Sequence, residues 1–194
     1  NRPSRRRNGR FRRQASIEPL PAKEGFEVPA SLPNRIIEKR TVPQITIYTD
    51  GSALGNPGPG GYGAVLLAGP HRKELAQGYR LTTNNRMELT AVCVALEALK
   101  FEGSDVTLYS DSKYVVDAVT KGWVFGWEKK GFAGKKNPDL WQRFLRVYRR
   151  HRVRFVWVKG HAETVENNRC DTLAVAAAND PSRWIEDTGY RPEA

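Results

Sequence analysis

Cysteine, methionine and histidine are scarce, at two, one and three among 194 residues. Cys93 and Cys170 have no second cysteine or histidine at ligand spacing, which excludes a disulfide framework and a structural zinc site and leaves two reduced core thiols. No apolar run approaches the roughly 18 residues of a membrane span, and the basic start is not followed by the apolar stretch of a secretory signal. The expectation is a soluble cytoplasmic protein without a membrane partner. Residues 1–16 contain no acid at all, only arginines with Ser4 and Ser16 among the polar residues, so an organelle address stands as the alternative.

Sustained periodicity is also missing from residues 1–43, which hold Pro3, Pro19, Pro21, Pro29, Pro33 and Pro43 and seven arginines between Arg2 and Arg13. Such a segment buries too little apolar surface to offset the entropy of ordering, so it reads as a disordered arm that touches phosphates without sequence preference. A dispensable extension is the plain alternative. Charge follows the same division. Eleven Lys/Arg against four Asp/Glu give the arm a net +7, and the remaining 21 against 17 give residues 44–194 a net +4. A basic chain seeks polyanions, nucleic acid first among them.

From Gln44 onward the pattern is regular. β-Branched and aromatic residues alternate through Ile45, Ile47, Tyr48 and Thr49 into Asp50, followed by a turn rich in glycine and proline at 55–61 and strands expected at 62–68 and 73–81. A helix is expected at 86–101 with Asn85 as its N-cap, then a strand at 106–110, a helix from Asp111 and Ser112 to Val119, an irregular stretch at 121–138, a helix at 139–150, a strand at 153–158 and a helix at 165–179. The last 15 residues read as a loose tail. Three antiparallel strands followed by alternating helices and strands imply an α/β fold with a mixed five-stranded sheet and helices packed on it, spanning about 44–180.

Four acids stand at unusual places. Asp50 and Asp111 end strands, where aspartate packs poorly. Glu88 and Asp171 begin helix faces that are otherwise apolar, with Val92, Ala95 and Leu99 after the first and Ala174, Val175 and Ala178 after the second. Each has an ordinary explanation when taken alone: Asn85 and Glu88 have capping-box spacing, Asp111 could cap a helix, and Asp171 could face a helix dipole. Four carboxylates meeting without cations would repel one another, and hard divalent ions such as Mg2+ or Mn2+ remove that conflict.

Thr49-Asp50-Gly51-Ser52, Asn56-Pro57-Gly58, Thr83-Asn84-Asn85-Arg86-Met87-Glu88, Ser110-Asp111-Ser112, Trp157-Val158-Lys159-Gly160-His161 and Asn167-Asn168-Arg169-Cys170-Asp171 occur in that order. This set, with Glu186-Asp187-Thr188-Gly189-Tyr190, resembles the motifs of type 1 ribonuclease H over about residues 45–190. The resemblance implies hydrolysis of the RNA strand of an RNA/DNA hybrid, leaving 5′-phosphate and 3′-hydroxyl ends. It implies two Mg2+ ions, or Mn2+, held by Asp50, Glu88, Asp111 and Asp171, with Asp50 bridging, Asp171 on the attacking-water side and Glu88 and Asp111 on the other. His161, otherwise a lone loop histidine, matches a position that assists proton transfer or product release.

The same resemblance makes Gly51, Ser52, Asn56, Asn84 and Asn85 minor-groove contacts, and Thr83 with Asn56 part of a pocket for a DNA-strand phosphate. Residues 121–138 would be the basic handle of bacterial members: Lys129, Lys130, Lys135 and Lys136 meet phosphates while aromatics including Trp123 and Trp127 anchor the protrusion. Lys113 departs from the uncharged residue other members often place after the Asp-Ser pair, which puts one groove contact in question. A monomer is expected. Two rivals remain at this point, a hybrid-binding module without catalysis and the ribonuclease H portion of a reverse transcriptase polyprotein.

Overall fold

The computed structural model describes residues 41–160 and 164–192; nearly all of the basic arm, and the segment that carries His161, lie outside the described residues. The elements are β1 (Gln44–Ala53), β2 (Gly58–Ala68), β3 (His71–Thr82), α1 (Asn84–Glu97), β4 (Asp105–Ser110), α2 (Lys113–Thr120), α3 (Trp123–Lys129), α4 (Pro138–Tyr148), β5 (Arg152–Trp157), α5 (Val165–Ala178) and β6 (Trp184–Ile185). They form one sheet in the order β5-β4-β1-β2-β3-β6. β1, β2 and β3 make the antiparallel meander, while β4 joins β1 and β5 joins β4 in parallel. No helix among the described residues is long and apolar enough to cross a membrane.

Period-two alternation sends Ile47, Val106, Leu108 and Phe155 to one face of the sheet, where they meet Leu89, Val92 and Leu96 of α1 and Trp141 and Phe144 of α4. On the other face α5 comes down onto bare backbone. A Cβ on Gly63 would sit 2.2 Å from the Cys170 carbonyl oxygen, so only glycine admits the helix at this depth. The buried Ala174 and Ala178 continue that close contact.

Four expectations are corrected. The sheet has a sixth strand, because the stretch from Trp184 reaches β3 and pairs Gly78 with Trp184 and Tyr79 with Ile185. The N-cap of α1 is Thr83, whose hydroxyl accepts the Arg86 N–H, and that of α2 is Ser112, whose hydroxyl accepts the Val115 N–H; Asn85 and Asp111 cap neither helix. Residues 121–138 contain a helix, α3, because Val124 and Trp127 reach the core from one face while Gly126 points into open space. Residues 180–192, expected as part of a loose tail, are held in place.

Arg86 explains why the chain end is held. Its guanidinium is 2% exposed and donates Nε and Nη2 to Asp187 at 2.7 and 2.8 Å, and Nη1 and Nη2 to Asp139 at 3.0 and 2.7 Å. Two bidentate carboxylates thus tie the start of α1 to α4 and to the carboxy-terminal segment. Gly189 leaves room for this pairing, since a Cβ there would overlap Asp139 Oδ2 and crowd Arg86 Nη2. Burial would raise the Asp187 carboxyl, but hydrogen bonds from Arg86 and Thr82 outweigh it and hold the group below its ordinary value. We expect Arg86→Lys to lose about 2–4 kcal/mol in urea unfolding, since one ammonium cannot replace two forks. Asp187→Asn should be destabilising at pH 7, with its deficit shrinking as pH falls from the ordinary carboxylate value through the depressed folded one and protonates the wild-type group.

Candidate active site

Neighbouring strand ends create the site. In the parallel β1–β4 pair, Thr49 stands opposite Ser110, so Asp50 and Asp111 both follow one step later, side by side. Glu88 arrives from α1. A Cβ on Gly51 would lie 2.2 Å from the Glu88 main-chain nitrogen, so the missing side chain lets the helix press on the strand and bring its acid to Asp50. Asp171 arrives from α5 through the second glycine contact, because Asp50 pairs with Gly63, and Gly63 underlies Cys170. The Cys170 thiol bonds the Tyr48 carbonyl at 3.2 Å and pins that turn of α5 to β1.

Asp50, Glu88 and Asp111 each offer a carboxylate oxygen within 4.8 Å of the other two. Asp50 is 7% and Glu88 6% exposed. Burial, the Asp111 charge and a carboxyl–carboxyl hydrogen bond with Asp171 together push Asp50 up to about 7, against the pull of the Gly51 N–H at 2.8 Å. Burial first, then Asp50 and Asp111, raise Glu88 well above the ordinary carboxylate range. Glu88 Oε2 is buried with no hydrogen-bond partner among the described residues. A buried oxygen acceptor without a donor, inside a cluster of acids, is a ligand set that fits a hard divalent cation. The structure therefore brings together three of the four sequence-predicted acids within ligand reach of one another and sets Asp171 against Asp50.

The sequence-predicted substrate residues fall into two groups. Gly51 is buried and Ser52 half-buried at the end of β1. Asn56, Thr83, Asn85, Lys135 and Lys136 line one cleft of about 670 Å³. The Asn56 side chain accepts the Asn84 N–H at 3.1 Å, which ties the β1–β2 turn to the start of α1. On the handle Trp123 is 48% exposed, with the Lys121 ammonium 4.8 Å from its ring, and Lys129 and Lys130 are exposed. Trp127 instead packs edge-on against Trp141 at 5.7 Å and carries the Lys135 ammonium at 5.1 Å, so its first role is to anchor the protrusion.

Sequence reasoning missed Asn137, Tyr190 and Arg191 on the rim of that cleft, and Trp157 beside Asp111. For Tyr190 and Arg191 a signal existed in the apolar Trp184 and Ile185 before them, which mark a strand inside a supposed tail. Trp157 carried no such signal, because its contact is with a main-chain carbonyl.

Comparison with known proteins agrees with this geometry. The RNase H family model matches residues 42–179. The chain is 59% identical over 140 residues to a ribonuclease H of Syntrophus aciditrophicus, covering 70% of this chain and 80% of that protein. It is 58% identical over 154 residues to a ribonuclease H of Shewanella amazonensis, covering 77% and 97%. Among solved structures, LC9-RNase H1, described as a type 1 RNase H with the type 2 active-site motif, aligns with a TM-score of 0.65 at 32% identity over 76% of this chain and 79% of the other. LC11-RNase H1, solved in complex with an RNA/DNA hybrid, aligns with a TM-score of 0.53 at 27% identity over 69% and 96%. A matching family model over most of the chain, close relatives covered nearly end to end, and four acids gathered by the shared fold place this chain in the ribonuclease H family.

Proposed function

We propose that this protein is an endonuclease that hydrolyses the RNA strand of RNA/DNA hybrids with two Mg2+ ions, leaving 5′-phosphate and 3′-hydroxyl ends. The observation that carries the reading is the buried, mutually repelling group of Asp50, Glu88 and Asp111 with Asp171 at its edge. Asp50, Glu88, Asp111 and Asp171 would hold the divalent ions, which would make a water easier to deprotonate for attack on phosphorus and would offset charge on the leaving 3′ oxygen. Asp50 sits between Asp171 on one side and Glu88 and Asp111 on the other, which suits it to serve both ions. The proton that leaves the attacking water is assigned to His161, because an imidazole can both accept and release a proton.

The chain's other polar groups would hold the duplex. Asn56, Thr83 and Asn85, with Lys135 and Lys136 opposite them, give the cleft the amide, hydroxyl and ammonium donors that a backbone phosphate accepts. Gly51 and Ser52 follow Asp50 directly, and Asn84, bonded to Asn56, opens the helix that carries Glu88; these three would meet ribose 2′-hydroxyls of the RNA strand. The handle, through Lys129 and Lys130, adds charge that tracks phosphates without reading bases. We assign the monomer as the working unit and the basic arm as an auxiliary, nonspecific contact. A binding module that had lost catalysis would not keep four acids at this cost in repulsion.

Asp50→Asn should lower kcat on a labelled hybrid by about 10²–10³-fold or more while hybrid binding in EDTA stays near wild type. Cleavage that survives in the variant, or in EDTA, overturns the reading. The metal-free protein should also lose stability as pH rises from about 4 through about 7. A carboxyl raised in the folded state binds its proton there more tightly than in the unfolded chain, and that advantage disappears once the proton is gone. Thermal scans across this range with EDTA and with Mg2+ test it: Mg2+ should flatten the slope, and Asp50→Asn should stabilise the metal-free protein at pH 7 by on the order of 2 kcal/mol. Removing residues 1–39 leaves the Pro43 carbonyl bonded to the Asp105 N–H at 2.9 Å, so the fold should persist. Hybrid affinity should then fall chiefly at low salt, with a shallower dependence of binding on salt.

A further inference from the structure

Asp50 is set within a strand and Glu88 within a helix, but Asp111 lies in the two-residue connector between β4 and α2. Connectors have the most freedom to yield, and the Asp111 carboxylate lies within 4.8 Å of two others whose charge repels it. Something must oppose that push. The Ser110 carbonyl accepts the Val158 N–H at 3.0 Å, and the Ser110 hydroxyl accepts the Ser112 N–H at 3.1 Å, which secure the residues on either side. The Asp111 carbonyl itself accepts the Trp157 Nε1–H at 3.1 Å.

Trp157 ends β5 directly opposite Ser110 and is 45% exposed. Exposure of a single aromatic means little by itself. Here the ring is held on both sides of its function: the N–H is engaged inward, and the Lys113 ammonium lies 5.2 Å from the ring centroid. A cation over the ring limits how freely the indole turns, and a restricted donor holds its acceptor better than a free one. Opposite the same acid, Gly160 leaves room for the carboxylate, since a Cβ there would stand 2.8 Å from Asp111 Oδ2.

We propose that Trp157 is a positioning residue for the metal site, fixing the Asp111 main chain so that its carboxylate stays directed at Asp50 and Glu88, with Lys113 steadying the ring. The inference rests on the metal-dependent reading above and concerns metal affinity, not contact with the hybrid. Trp157→Phe keeps a ring under Lys113 and removes only the N–H. Calorimetric titration with Mn2+ or Mg2+ alone should show Kd raised about 10-fold. The metal concentration for half-maximal cleavage should rise in parallel, kcat at fixed metal should fall, and KM for hybrid should stay within about 2-fold. Because the side chain is half in solvent, unfolding in EDTA should move little. Lys113→Gln leaves the indole bond in place and should change metal Kd by about 2-fold or less, while Trp157→Ala should match or exceed the phenylalanine variant.

Wild-type metal affinity in Trp157→Phe overturns the inference, and so does a change confined to KM, which would make the indole a hybrid contact. A wild-type protein that fails to cleave hybrid defeats the functional reading instead, and weaker metal binding by Trp157→Phe would still uphold the role of the indole.

Discussion

Like charges held together out of water are the constraint on which the structure turns. Asp50, Glu88 and Asp111 would each be more stable apart, and two of them carry their discomfort as raised proton affinity. A fold keeps such a group only by making separation cost more than repulsion. Here separation would mean pulling α1 off Gly51 or breaking the parallel register that sets Thr49 against Ser110, and both are backbone contacts inside a packed core. The same raised affinities make cation binding competitive with protons near neutrality, so metal uptake by the site should release protons.

Small residues do the positioning. Gly51 on one face of the sheet and Gly63 on the other remove side chains where helices must approach strands most closely, and each lies within one residue or one register step of Asp50. α1 and α5 therefore reach Asp50 from opposite sides. The Arg86 latch acts at one further remove: two residues before Glu88, it binds the start of α1 to Asp139 and Asp187, so the helix that carries the acid also meets the wall of the basic cleft. Chemistry and grip are joined through one short segment of α1.

Much of this was legible from residue order. Alternation of β-branched and aromatic residues located β1, a run rich in both located β4, and acids on otherwise apolar stripes singled out Glu88 and Asp171, because such patterns are local properties that tertiary packing here reinforces. What escaped was decided at a distance. Thr83 displaced Asn85 as a cap because the helix starts earlier, at Asn84, whose N–H is taken by the Asn56 side chain in a turn 28 residues before it. Gly126 hid α3, whose stability comes from Trp127 packing on Trp141 and not from propensity. β6 is two residues long and exists through its pairing with β3, so the apolar Trp184 and Ile185 could hint at a strand but were too short to show a period.

The residues that escaped share a chemical feature: they act through main-chain atoms or through buried ion pairs, and neither leaves a periodic trace. Arg86 is the clearest case. Within α1 it opens the buried run, and a cation there, desolvated, demands anions aimed at it. The demand could be read from the helix, whereas its answer, Asp139 and Asp187, lies 53 and 101 residues away. An unpaired charge on a core-facing stripe is therefore as informative as an acid at a strand end, and it points to where the chain must close on itself just as Asp50 points to where a metal must sit.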